Sequence, residues 1–147
     1  MTGERGSSMV EVTLTVSLML TVIFGIVECG RLMMAYTTLS DAARLGTRYA
    51  MVHGGYRTGS GMDGPSGPGN TTNIETTVLG LTNAAGLTPA TVQVTYYPPA
   101  SNPTAAASNG VGNSVQVTVQ YTFNAIVPLI PLVNVTLSST SEGTICY

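Results

Sequence analysis

The amino-acid sequence predicts an α+β protein. One long N-terminal helix, with a membrane half and an amphipathic half, packs on a small antiparallel sheet with one short helix. Three observations carry this. Val12 to Val27 is a run of sixteen residues without a charge. From Leu32 to Ala50, apolar and small residues recur at helical spacing, and no proline occurs before Pro65. Beyond Thr91 the apolar spacing changes to two, the period of a half-buried strand.

Composition bounds the rest. The 147 residues allow one modest domain, and the apolar helix leaves roughly a hundred residues for its globular part. Charged residues are 8% of the chain, Lys is absent and the net charge is −2. Such a chain has no basic surface with which to neutralise phosphates, so no nucleic acid is expected as a partner. Hydrophobic residues at 44% argue against intrinsic disorder. The abundance of Thr, Ser, Gly and Asn suits an extracytoplasmic or assembled protein.

Met1 to Gly6 reads as a short polar leader and residues 7–30 as the transmembrane helix. Sixteen residues of helix span ~24 Å, less than the ~30 Å hydrocarbon layer, so Met9-Val10 and Leu32 to Met34 are needed to complete it. That places Glu11 in or at the edge of the apolar layer, where a carboxylate calls for a partner. An ordinary signal peptide would need a small-x-small site after the run, and Ile26-Val27-Glu28-Cys29-Gly30 has none. Cys29 invites a lipid-anchor reading, but Glu28 stands where a small residue is required. A plain single-pass anchor leaves Glu11 unexplained.

Thr13, Ser17, Thr21 and Gly25 recur every four residues and form one small, partly polar stripe. Such a stripe can serve as a helix-packing face in a bilayer. Alternatively, its hydroxyls bond their own backbone. The helix is expected to run from about Ser8 to about Val52 and to end at Gly54-Gly55. Glu28 and Arg31 are placed to pair. Leu32, Ala35, Tyr36, Leu39, Ala42, Ala43, Gly46, Tyr49 and Ala50 mark the face that packs on the domain. Asp41, Arg44 and Arg48 lie on another face, with the arginines toward the C-terminal end. Residues 31–147 are thus read as the outer domain, with 31–52 continuing the long helix.

His53 to Asn70 contains seven glycines and two prolines and reads as a flexible loop. It lacks the strand, helix start and Lys of a phosphate-cradling loop. His53 is solitary, Asp63 is a single carboxylate, and no metal or cofactor spacing appears. Thr72-Asn73-Ile74-Glu75 matches a capping box with Thr72 as N-cap. Ile74, Val78, Leu81 and Ala85 then mark one face of a short helix that Gly86 closes.

Val92, Val94 and Tyr96 alternate with polar residues, as do Val115, Val117, Val119, Tyr121 and Phe123. Val133, Val135 and Leu137 begin a last strand running toward Cys146. Between them, Ala125 to Val133 is apolar but broken by Pro128 and Pro131, so it is neither a central strand nor an ordinary helix. It is read as a buried connection or as an apolar contact surface. The two cysteines, Cys29 and Cys146, sit in no metal motif. They can form a disulfide tying helix to last strand, or stay as two free thiols. Asn70-Thr71-Thr72 and Asn134-Val135-Thr136 fit short glycosylation sequons, which arise often by chance.

Gly6 is followed by Ser7-Ser8-Met9-Val10-Glu11, so Glu11 is fifth counting from Ser7. This resembles the processing site of type IV pilin-like proteins. Phe24-Gly25-Ile26-Val27-Glu28, Gly30-Arg31, Ala42-Ala43-Arg44, Gly46, Arg48-Tyr49-Ala50 and His53-Gly54 resemble, more narrowly, the N-terminal signature of TadE-like pseudopilins of the tight-adherence (Tad/Flp) pilus system. The resemblance covers about residues 5 to 54, and beyond that it is one of plan only. It implies a pilin-like fold and cleavage between Gly6 and Ser7 by a prepilin peptidase. It implies that Glu11 serves peptidase recognition and assembly, meeting the freed amine of a neighbouring subunit. It implies the lipid bilayer, other pilin-like subunits and the inner-membrane assembly platform as partners. It places the protein as a single-pass component of the bacterial inner membrane or of an extracellular pilus, with its C-terminal domain outside the cytoplasm. Charge alone does not give that orientation, because Arg31, Arg44 and Arg48 all lie beyond the apolar run.

The leading function is therefore a minor pilin-like structural subunit in pilus biogenesis, without catalysis. The alternative is a membrane-anchored binding domain not incorporated in a pilus. A membrane-tethered enzyme would need a constellation of catalytic side chains, and the sequence offers none.

Overall fold

The computed structural model describes residues 3–88, 90–126 and 134–146, with side chains from residue 6 onward. The first helix, α1, spans Gly3–Val52 without a break. Its 50 residues make it ~75 Å long. The amide of His53 still bonds the Tyr49 carbonyl at 3.0 Å, and the chain then turns away at Gly54-Gly55. A 3-10 turn, Gly61–Asp63, follows, then α2 (Thr72–Ala84) and strands β1 (Ala90–Tyr97), β2 (Ser114–Phe123) and β3 (Val135–Thr144). The strands form an antiparallel sheet in the order β1-β2-β3. The α+β plan expected from the sequence is the one observed.

The second half of α1 is the spine of the domain. It lies across β2 and β3, while α2 packs on α1 and reaches β1. The face turned inward is made of small residues, Ala35, Ala42, Ala43, Gly46, Thr47 and Ala50, with Leu39 as its one large, fully buried side chain. Small residues let the helix backbone approach the sheet closely. Gly46 fits between Val78 of α2 and Val117 of β2, where a Cβ would lie 2.6 Å and 3.0 Å from their methyl groups. Thr47 donates its hydroxyl to the Ala43 carbonyl at 3.0 Å and to the Ser141 carbonyl of β3 at 3.1 Å. Tyr36, placed on this face from spacing, is 47% exposed and belongs to the flank of the helix.

The inward side of the sheet is valine-rich: Val92 pairs with Val119, Val94 with Val117 and Tyr96 with Val115. β3 continues to Thr144, but its inward positions beyond Leu137 are Ser139, Ser141 and Gly143. A Cβ at Gly143 would overlap Met51 and Thr47 of α1, so bulk there is excluded by the helix itself. Tyr96 is buried, and its hydroxyl has no hydrogen-bond partner among the described residues. Burial pushes its phenol up to about 12.

Several local expectations change. The N-cap of α2 is Thr71, one residue before the expected Thr72, and its hydroxyl reaches the Glu75 carboxylate at 2.6 Å instead of a backbone amide. The C-terminal end is as expected: Gly86, at φ +75°, carries a Schellman closure with Leu87 N–H to Thr82 O (2.9 Å) and Gly86 N–H to Asn83 O (3.0 Å). The inward residues of α2 are Ile74, Val78 and Thr82, with Leu81 beside them. Arg44 and Asp41 stand 3.9 Å apart on the surface, a weak pair, and the last turn of α1 holds no basic residue.

The His53 to Asn70 connection is tied down. Ser66 N–H donates to His53 O (2.7 Å), and Gly67 pairs with Asn70. Asn109, from the β1–β2 connection, donates its side-chain amide to Ser66 O (2.9 Å), and its own carbonyl accepts Gly55 N–H (2.8 Å). Of Ala125 to Val133, read as a buried connection or a contact surface, residues 127–133 lie outside the described residues.

Candidate functional site: the free half of the long helix and its junction with the domain

An apolar helix needs something apolar around it, and the first half of α1 finds nothing of the kind among the described residues. The segment Gly6–Val52 contains an apolar window of mean hydropathy 2.2, none of which is buried by the other described residues. Leu14, Leu18 and Ile26 are all exposed by more than 60%. By length and composition this helix can cross a membrane.

The residues singled out near its start lie on this free segment. Gly6 and Ser7 are exposed within α1, with open space around Gly6. Glu11 is also exposed, and its carbonyl accepts the Thr15 hydroxyl at 2.9 Å. In the stripe, Thr13 donates to Met9 O (2.8 Å) and Thr21 to Ser17 O (2.9 Å). Those hydroxyl protons are spent on the helix itself, so across a helix–helix contact these threonines could act only as acceptors. Thr13, Ser17 and Thr21 line an open groove along the helix with Met9, Val10, Leu14 and Leu18. The stripe also has a direction. Thr21, Glu28, Ala35 and Ala42 are spaced by sevens, drifting only ~20° per step around a straight helix. The stripe is thus the uncovered continuation of the face that packs on the domain.

At the junction sits the one buried carboxylate among the described residues, Glu28, 1% exposed. Arg31 Nη1 donates to both of its oxygens at 2.9 Å, the i, i+3 pair legible in the sequence. A third donor was not legible. The backbone N–H of Ile126, 98 residues along the chain, donates to Glu28 Oε1 at 2.9 Å. The Arg31 guanidinium lies over the Phe123 ring, 5.2 Å from its centroid. The end of β2 is therefore clasped to α1 one residue beyond its last apolar position, Val27. The only sequence signal was a Glu directly after a long apolar run and three residues before an Arg.

The Cys29–Cys146 disulfide considered from the sequence does not form. Both thiols are free and exposed. The amide of Cys146 donates to Met51 O at 3.2 Å, which is 22 helical residues, or ~33 Å, beyond Cys29. A disulfide needs Cα atoms within ~7 Å.

His53 follows the last residue of α1. It stacks on Tyr49, with centroids 3.9 Å apart, and its Nδ1 is 2.9 Å from the Tyr49 carbonyl. Tyr49 donates its phenol to Met62 O and so pins the loop. Burial, and secondly the charge of Asp63, raise the Tyr49 pKa, while Arg57 works in the opposite direction. Among the described residues no group of three His, Cys, Asp or Glu side chains could hold a metal ion.

Residues 6–48 match the family model described as TadE-like protein. The match begins at the Gly6–Ser7 bond, takes in Glu11, the stripe and Glu28–Arg31, and stops short of the last turn of α1. No match was found among curated proteins or among solved structures.

Proposed function

On the premise that the chain carries a TadE-like N-terminal segment, we propose that it is a minor pilin-like structural subunit in the biogenesis of Tad/Flp-type adhesive pili. In this reading an inner-membrane prepilin peptidase cuts after Gly6, and the subunit works by assembly without chemistry of its own. One observation carries it: a single unbroken helix whose first half is apolar and left unburied by the other described residues, and whose second half is the spine of an α+β domain. Such a helix presents one surface to lipid before assembly and to neighbouring helices after it.

Glu11 has the role of partner to the amine freed at Ser7 of an adjacent subunit. It lies near the start of the apolar run, where a lone carboxylate is costly and an ion pair offsets that cost. The C-terminal domain stands outside the cytoplasm, and the assembly platform and other pilin-like subunits are the partners.

The test is to express the full chain with and without a prepilin peptidase and to determine the N-terminus by mass spectrometry. A chain beginning at Ser7 only when the peptidase is present supports the reading. An intact Met1 in its presence sinks it in favour of a simple anchor. Glu11→Gln is expected to abolish assembly, and unchanged pilus formation would remove the pairing role.

A further inference from the structure

We propose that the base of the domain, at Ile126, rests on the lipid surface, and that the Glu28 carboxylate holds it at that depth. This rests on the reading of α1 as a membrane span. The bilayer thickness then sets the geometry. A hydrocarbon layer of ~30 Å takes up ~20 helical residues. Counted from Glu11 at one boundary, the other boundary falls near Arg31. Glu28 lies three residues, ~4.5 Å, inside that point, and the Ile126 amide is bonded to it at 2.9 Å. Ile126 therefore stands at the outer edge of the apolar layer, within ~5 Å of the headgroups.

Side-chain chemistry agrees with the position. Ile126 is 73% exposed although it is anchored through its backbone. Met33 and Met34, just above Arg31 on α1, are 64% and 63% exposed. Met33 and Met34 continue the exposed apolar surface of α1 past Arg31. Arg31 is half-buried, in contact with Glu28 and over Phe123, and its guanidinium is placed where lipid phosphates lie. The Glu28 carboxylate is the part that makes the depth tolerable, because its charge is met by a cation and a backbone N–H before it meets lipid. Lipid is favoured over a second copy as the occupant because the span fixes this depth for every isolated chain.

The chain contains no Trp, so single reporters can be placed at will. Full-length variants Leu18→Trp, Ile126→Trp and Val111→Trp would be put into phosphatidylethanolamine–phosphatidylglycerol vesicles whose lipids carry bromine either high on the acyl chain or near its end. Val111 is the distal control, next to Gly112, whose amide bonds Ile145 near the far end of α1. Ile126→Trp is expected to be quenched severalfold more by the shallow bromines than by the deep ones, with Val111→Trp unquenched. Adding Glu28→Ala to Ile126→Trp is expected to lower that quenching at least twofold. Quenching of Leu18→Trp with Ile126→Trp as dark to bromine as Val111→Trp would overturn the proposal and leave the span standing. An unquenched Leu18→Trp would remove the span itself and the proposal with it. Shielding of Ile126→Trp that grows with protein-to-lipid ratio and ignores bromine would assign the surface to a second copy. Quenching unchanged by Glu28→Ala would overturn the role given to Glu28.

Discussion

Gly46 of α1 lies directly against Val78 of α2: a Cβ on the glycine would sit 2.6 Å from the valine Cγ2 and 3.0 Å from Cγ1 of Val117 behind it. Both neighbours are β-branched and buried, so neither can swing away. Helix propensity favours Ala over Gly by about 1 kcal/mol, but overpacking of this kind costs about 1–3 kcal/mol. Gly46→Ala is therefore expected to destabilise the domain, read as a lower thermal midpoint of the full chain in detergent. Gly80→Ala, inside α2 with open space around it, is expected to stabilise by about 0.5–1 kcal/mol. The same substitution should thus have opposite signs at two helical sites, and equal signs would show that α1 does not approach the sheet this closely.

Removal of the Glu28 carboxylate leaves the Arg31 guanidinium and the Ile126 N–H without their acceptor. Arg31 is partly exposed and can turn to solvent, whereas the amide cannot move so easily. Glu28→Ala is expected to cost about 2 kcal/mol and to raise hydrogen exchange at Ile126 before it does so in β2. Protection at Ile126 equal to that of the unsubstituted chain would mean the clasp is not made.

The Tyr96 phenol gives a pH dependence. Its folded pKa is about 12 and its ordinary value is 10.0. The folded state thus keeps its proton when the unfolded chain has lost it. Stability is complete below about pH 10 and falls as pH rises toward 12, by up to about 3 kcal/mol. Tyr96→Phe removes a buried hydroxyl that has no partner among the described residues. Its expected effects are a neutral to slightly higher midpoint at pH 7 and a flatter decline above pH 10. A variant that tracks the unsubstituted chain through that window would show that another group governs alkaline unfolding.

With Cys29 and Cys146 held ~33 Å apart by the rigid helix between Cys29 and Met51, alkylation in denaturant without reductant should add two labels to every chain. A chain two protons lighter that takes no label would place the last strand elsewhere.

Much of this architecture is written in local spacing. The apolar run, the helical recurrence from Leu32 to Ala50, the Gly86 closure and the valine alternation of β2 each report on neighbours close in sequence, and each appears in the structure. Where side chains answer to distant partners, spacing misleads. Ser139, Ser141 and Gly143 do not read as the inward face of a strand, and at Gly143 α1 occupies the volume a side chain would fill. Tyr36 has a core spacing but lies on the flank of the helix. The Thr72 cap failed by one residue because Thr71 can reach Glu75 equally well from the preceding position.

The candidate site divides in the same way. Gly6, Ser7, Glu11 and the four-residue stripe are legible in the sequence as candidates because they are marked by order and interval along one helix. By itself the sequence determined a membrane-competent helix continuous with a domain spine, since hydropathy and periodicity are properties of successive residues. Only the tertiary structure decided that the thiols stay apart, that the stripe continues the domain-packing face, and that Glu28 is a clasp. Those are distances between residues remote in the chain, and they are set by how closely the small-residue face of α1 lets the sheet approach.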